Sequence, residues 1–181
     1  MKKVIIAHQS SIPHYRIPFY NAVEKLKSDQ WDFEVVFDSE ELVKKRFFKE
    51  KIDPSSFNFK TLDVDTFFLK LLGKKISYQT FWKASKSYDL IVVEQAVNNL
   101  TYPLCQLHQF QGTKFAYWGI GNDRNITNPS LSKRVSEKAK IFLSKRASAF
   151  FAYTPGVKSF LEKKGVDSKN IFVLNNTVDI L

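Results

Sequence analysis

His14 and Arg16 stand two residues apart in Ile12-Pro13-His14-Tyr15-Arg16-Ile17-Pro18, where a helix is expected to begin. Free N–H groups and the helix dipole favour an anion at such a place. Glu94 closes the apolar run Leu90-Ile91-Val92-Val93. A carboxylate there could orient a ligand hydroxyl or pair with one of the many lysines, and both readings stay open. The stretch Tyr117-Trp118-Gly119-Ile120-Gly121-Asn122-Asp123-Arg124-Asn125 has another logic. Gly119 and Gly121 permit close approach of a ligand or of neighbouring backbone. Asp123 and Arg124 are of the kind that bind hydroxyls or phosphate, or each other. His8 follows the first apolar run and reads as a hydrogen-bonded structural residue.

Other chemistries are excluded by what the spacing lacks. The turn Gln9-Ser10-Ser11-Ile12-Pro13 has no glycine, and the third glycine position after Gly119 and Gly121 is Arg124, so a dinucleotide fingerprint fails. There is no Gly-x4-Gly-Lys phosphate loop. His8, His14 and His108 have no Cys or Asp cluster beside them, and no metal site is expected. Cys105 is the single cysteine, so no internal disulfide forms. No cofactor is expected, and no catalytic residue is assigned.

These residues need a scaffold, and the apolar runs supply one. Val4–Ala7, Phe33–Phe37, Phe57–Leu62, Leu90–Val93, Lys114–Trp118, Ala149–Tyr153 and Ile171–Leu174 read as strands. Continuous β-branched runs fit strands buried on both faces of a parallel sheet. Helical patterns lie between them. Tyr15, Phe19, Ala22, Val23 and Leu26 form one stripe; Leu131, Val135, Ala139 and Phe142 form another, with Ser130 as cap. Thr154 caps a helix from Pro155 to Lys164 that Gly165 stops, and Thr101-Tyr102-Pro103 opens one running to about Phe110. Thr66 to Gly73 fits strand or helix. The fold class is therefore α/β, a doubly wound, mostly parallel Rossmann-like sheet of about seven strands with helices on both faces, in a single domain over 1–181. In such sheets ligands bind at the carboxyl ends of the strands, where His14, Arg16, Glu94, Gly119, Gly121, Asp123 and Arg124 would form a cleft edge.

Composition narrows the setting. With 28 Lys+Arg against 18 Asp+Glu the net charge is +10, and 17 phenylalanines in 181 residues exclude a disordered chain. No signal peptide and no spanning run is visible, so a reduced, cytoplasmic chain is expected. Lys44-Lys45-Arg46-Phe47-Phe48-Lys49, the segment Thr66 to Lys86, and the helix bearing Lys133, Arg134, Lys138, Lys140, Lys145 and Arg146 mix cations with apolar residues. Each could lie on an anionic membrane surface, or be a solvated face whose apolar side packs inward. No nucleic-acid motif is present, and a nucleic-acid partner is not expected.

The order of motifs resembles the N-terminal domain of family 4 glycosyltransferases, retaining enzymes of GT-B fold. Thr154-Pro155-Gly156-Val157, Gly165-Val166 and Asn170-Ile171-Phe172-Val173-Leu174-Asn175-Asn176-Thr177-Val178-Asp179 look like the end of that domain. Ile12 to Ala22 is similar to its first loop and helix in members that build bacterial surface polysaccharide, and Trp118-Gly119-Ile120-Gly121 with Arg124 to its central loop. Two departures stand out: Ser10-Ser11 replaces a Gly-Gly pair, and Ile120 stands where many members carry a histidine. The resemblance implies an acceptor-side half of a transferase that moves sugar from a nucleotide-sugar to a saccharide or lipid-linked acceptor. It implies assembly of polysaccharide or lipopolysaccharide, attachment to the inner face of the cell membrane, and no turnover without a C-terminal donor domain. A non-catalytic docking half of a split transferase is the alternative.

Overall fold

The β-branched run at the start of the chain forms the middle of a parallel sheet. The structure, a computed structural model, describes residues 1–9, 12–39, 54–71, 73–121 and 130–175. Along the chain come β1 (Lys2–Ala7), α1 (Ile17–Lys25), β2 (Trp31–Phe37), β3 (Lys60–Asp63), β4 (Thr66–Leu71), β5 (Lys74–Gln79) and β6 (Leu90–Glu94). They are followed by α2 (Thr101–Gln106), β7 (Lys114–Gly119), α3 (Leu131–Ser144), β8 (Ala149–Ala152), α4 (Pro155–Lys163) and β9 (Ile171–Val173). Seven strands pair in the order β3-β2-β1-β6-β7-β8-β9, all parallel. The expected doubly wound α/β sheet is present. Its order reverses between β1 and β6, which places the switch point beside Glu94.

The two faces of the sheet hold separate cores. Ile5, Ile91, Val93, Phe115, Tyr117 and Phe150 pack on one side with Leu161 and Val157 of α4. Phe33, Val35, Val92, Ala116 and Trp118 pack on the other with Tyr20 of α1. Alternate residues of each strand go to opposite faces, so both faces must be apolar, as these runs are.

Several elements depart from the sequence expectation. β3 is shorter than read: it starts at Lys60, and Phe57 and Phe59 stack on each other at 5.1 Å before it. Of the stripe expected on α1, Val23 packs on the core with Ile17, whereas Tyr15, Phe19 and Leu26 are exposed and Arg16 and Tyr20 are buried in their place. The stripe expected on α3 is exposed too, and Ser130 makes no side-chain cap bond. The α4 reading holds: Thr154 accepts from the Val157 N–H, Pro155 opens the helix and Gly165 lies at φ +82°. The helix opened by Thr101 tightens into a 3-10 turn from Leu107 to Gln111.

Within Thr66 to Gly73, Thr66–Leu71 is strand and Gly73 is in a turn. β4 pairs antiparallel with β5 in a hairpin outside the main sheet. It is anchored at the switch point through Gln79, which is fully buried. Gln79 Nε2 donates to the His8 carbonyl at 3.1 Å, and its Oε1 accepts from Asn99 Nδ2 at 2.7 Å. The basic run Lys44 to Lys49 lies outside the described residues.

Candidate functional site

Parallel register puts three side chains in one row at the carboxyl edge. Ala7 is opposite Val93, so His8 and Glu94 come next to each other; Glu94 is opposite Trp118. His8 Nδ1 lies 2.8 Å from Glu94 Oε1, and its Nε2 lies 2.6 Å from the Tyr20 hydroxyl. Burial pushes the Tyr20 phenol well above its ordinary range, so it stays protonated and donates to Nε2. Nδ1–H then donates to Glu94, which fixes the tautomer by partners. Glu94 Oε2 accepts from the Gln9 N–H at 3.0 Å. Glu94 is held by a histidine and a backbone amide, with 28% of its side chain exposed.

Arg16 closes this row from the α1 side. It is 5% exposed, and its guanidinium sits 4.4 Å from the Trp118 ring centroid and 5.4 Å from those of Tyr15 and Tyr153. Burial pushes the Tyr153 phenol above its ordinary value, while the nearby Arg16 guanidinium pulls the other way. Among the described residues no carboxylate forms an ion pair with Arg16. The positive charge is held by aromatic faces, an arrangement guanidinium tolerates better than ammonium.

Beside the row opens a cleft of about 360 Å³, lined by Glu94, Gln95, Trp118, Gly119, Lys140 and Tyr153 among others. Its size is within the range of small-ligand pockets. Trp118 Nε1 is buried and makes no hydrogen bond among the described residues. Lys140, bound to Glu137 at 2.7 Å, brings a cation from α3. A carboxylate, a phenol and an ammonium beside an indole wall can hold a polyhydroxylated ligand bearing an anionic group.

The expected residues divide. Glu94 and Gly119 line the cleft and Arg16 stands behind its wall. His14 is exposed and packs edge-on against Tyr15 at 5.6 Å, outside the cleft lining. Gly121, at φ +77°, faces α4: a Cβ there would meet Val157 Cγ1 at 3.1 Å. At Gly119 it would meet Gln95 Cβ at 3.2 Å. The close neighbours of both glycines are the protein's own side chains. Asp123 and Arg124 lie outside the described residues. The sequence reading does not place Tyr20, Trp118 and Tyr153 among the site residues, and it favours a structural role for His8. The available signals were Arg16 and Tyr20 four residues apart on one helix, and a histidine immediately past the first strand.

No protein-family model matches the chain, and no curated protein matches it. Solved structures do. UDP-GlcNAc 2-epimerase from Methanocaldococcus jannaschii superposes with a TM-score of 0.52 at 19% identity, over 96% of this chain and 45% of that one. Anabaena Alr3699/HepE in complex with UDP-glucose gives 0.55 at 12% identity, over 96% and 43%. S. aureus MnaA with UDP gives 0.52 at 18%, over 96% and 43%. The likeness is one of fold. The chain is an α/β Rossmann-like unit of GT-B type. It spans less than half the length of each of these proteins, and the GT-B fold is one that UDP-GlcNAc 2-epimerases share with glycosyltransferases. No helix among the described residues is long and apolar enough to cross a membrane.

Proposed function

We propose that this chain is the acceptor-side half of a GT-B glycosyltransferase, moving sugar from a nucleotide-sugar to a saccharide or lipid-linked acceptor. The observation that carries the reading is the His8–Glu94–Trp118 row at the switch point, with Arg16 behind it. Glu94, oriented by His8 and the Gln9 amide, accepts from an acceptor hydroxyl. Arg16, Lys140 and the Trp118 indole N–H draw phosphate toward the cleft. His8 and Tyr20 act as positioning residues. Transfer with retention, and a place in bacterial surface polysaccharide or lipopolysaccharide assembly at the inner face of the membrane, follow from the motif resemblance. A further segment or a partner chain supplies the donor-binding half, in keeping with the less than half of the GT-B structures this chain spans.

Incubation with labelled nucleotide-sugars and lipid-linked saccharides tests this. The chain alone should give no transfer, and adding the donor-binding half should restore it. Robust transfer by the chain alone would contradict the division of labour.

A second reading has a specific support: solved neighbours are named as UDP-GlcNAc 2-epimerases. In that case the completed protein would convert a nucleotide-sugar to its epimer with no acceptor present. Product analysis separates the two.

A further inference from the structure

The apolar stripe of α3 faces solvent. Leu131, Val135 and Phe142 are 79%, 59% and 54% exposed and share one helix face, with Lys138 between them. The stripe runs about 17 Å at 1.5 Å per residue. The opposite side of α3 is the one that packs, through Ile141, Leu143 and Ser144.

Phe142 continues this stripe into a groove of about 760 Å³ between the end of α3 and the segment 103–110. Leu104, Leu107, Phe110, Phe142, Leu143 and Arg146 line it. Phe110 is 89% exposed and Leu107 54%. Large apolar groups left contiguous in water mark an interaction surface.

Charge selects the occupant. α3 and the turn after it carry Lys133, Arg134, Lys138, Lys145 and Arg146, against a single acid, Glu137, which binds Lys140. A twofold copy would lay this cationic helix against itself, which is repulsive. An anionic surface is complementary. The Arg146 guanidinium lies 3.5 Å from the Phe142 ring centroid, keeping its charge at the apolar rim, as side chains do at a bilayer interface. The place in the fold also fits. The segment 107–111 leads to the start of β7 and α3 leads to the start of β8, so the groove lies toward the amino ends of the strands.

We propose that the outward stripe of α3, with Leu107 and Phe110, docks the chain on an anionic lipid bilayer with α3 in the headgroup plane. This deepens the membrane placement in the transferase reading by naming the docking surface, and vesicle binding tests it apart from transfer. The β4–β5 hairpin, which also exposes Phe67 and Leu69, is the rival surface.

Sedimentation with vesicles of phosphatidylcholine, with and without phosphatidylglycerol, tests the proposal. The wild-type chain should bind the anionic vesicles at least about tenfold better, with the preference fading at high salt. Phe110→Ser with Phe142→Ser should lower binding at least about tenfold, and Lys138→Glu with Arg146→Glu should abolish the anionic preference. Phe67→Ser with Leu69→Ser should bind like wild type. Circular dichroism checks folding; should the Phe pair not fold, the charge-reversal pair, at exposed sites, decides. Equal binding to both vesicle types, no binding, loss only in the hairpin variant, or a wild-type dimer that the Phe pair dissolves without affecting lipid binding would each overturn it.

Discussion

His8 and Glu94, 86 residues apart in sequence, meet at 2.8 Å because β1 and β6 are adjacent parallel strands ending in step. The bond ties the switch point of the sheet together and sets the direction of the carboxylate. Tyr20 buries its hydroxyl against the other ring nitrogen. His8→Ala therefore orphans a fully buried phenol and should cost about 2–3 kcal/mol, from the unpaired hydroxyl and the space left behind. Tyr20→Phe leaves the His8 Nε2 without its donor but opens little space, and should cost about 1 kcal/mol. Urea denaturation measures both; equal costs would refute the ordering.

Arg16 carries a charge out of water with no carboxylate partner among the described residues. An apolar replacement of similar length should relieve that burden. Arg16→Met is expected to be within about 1 kcal/mol of the parent or more stable. Phosphate or nucleotide binding should fall. A loss of several kcal/mol with unchanged anion binding would make Arg16 a structural residue only.

Gly121 and Gly112 separate strain from crowding. Both have positive φ, at +77° and +94°, but only Gly121 has neighbours within reach of a Cβ. Gly112→Ala should cost about 1 kcal/mol from backbone strain alone. Gly121→Ala adds a push into Val157 and should cost about 1–2 kcal/mol more. Thermal unfolding of the pair checks the order.

Alkaline pH should unfold the chain. Burial pushes the phenols of Tyr20, Tyr88, Tyr102, Tyr117 and Tyr153 above their ordinary value. A raised folded-state value means stability fully present below the unfolded phenol value of about 10 and lost as pH climbs above it. Tyrosinate absorbance from these residues should thus rise together with the loss of helical signal. Independent titration of the native fold would contradict it. The Cys105 thiol, pushed up to about 12 by burial, should resist alkylation until the same transition.

The main sheet was legible because strands buried on both faces must be apolar throughout, and runs such as Val4–Ala7 and Leu90–Val93 have no other reading. The hairpin was not. Phe67 to Leu71 lacks a clean period, and its strand state depends on pairing with Lys74–Gln79 and on Gln79 bonding to His8 and Asn99. On α1 the sequence pattern found Val23 but missed that most of the core face is made by Tyr20 with Arg16 just before the helix, two polar residues inside the protein. On α3 the period was legible and the direction was not, since a stripe does not say which side the sheet lies on. Glu94 was found from its strand end. The row it forms with His8 and Trp118 needed the order β1-β6-β7, which local pattern does not contain.

The three indole N–H signals of Trp31, Trp82 and Trp118, in a nitrogen-15 spectrum of the labelled chain, test the acceptor ledge most directly. Adding a phosphate-linked saccharide should shift the Trp118 signal saturably, leave the other two in place, and fail to do so in Glu94→Ala with Arg16→Met. A saturable shift confined to Trp31 or Trp82, or a Trp118 signal unmoved by every phosphorylated saccharide, would contradict the account.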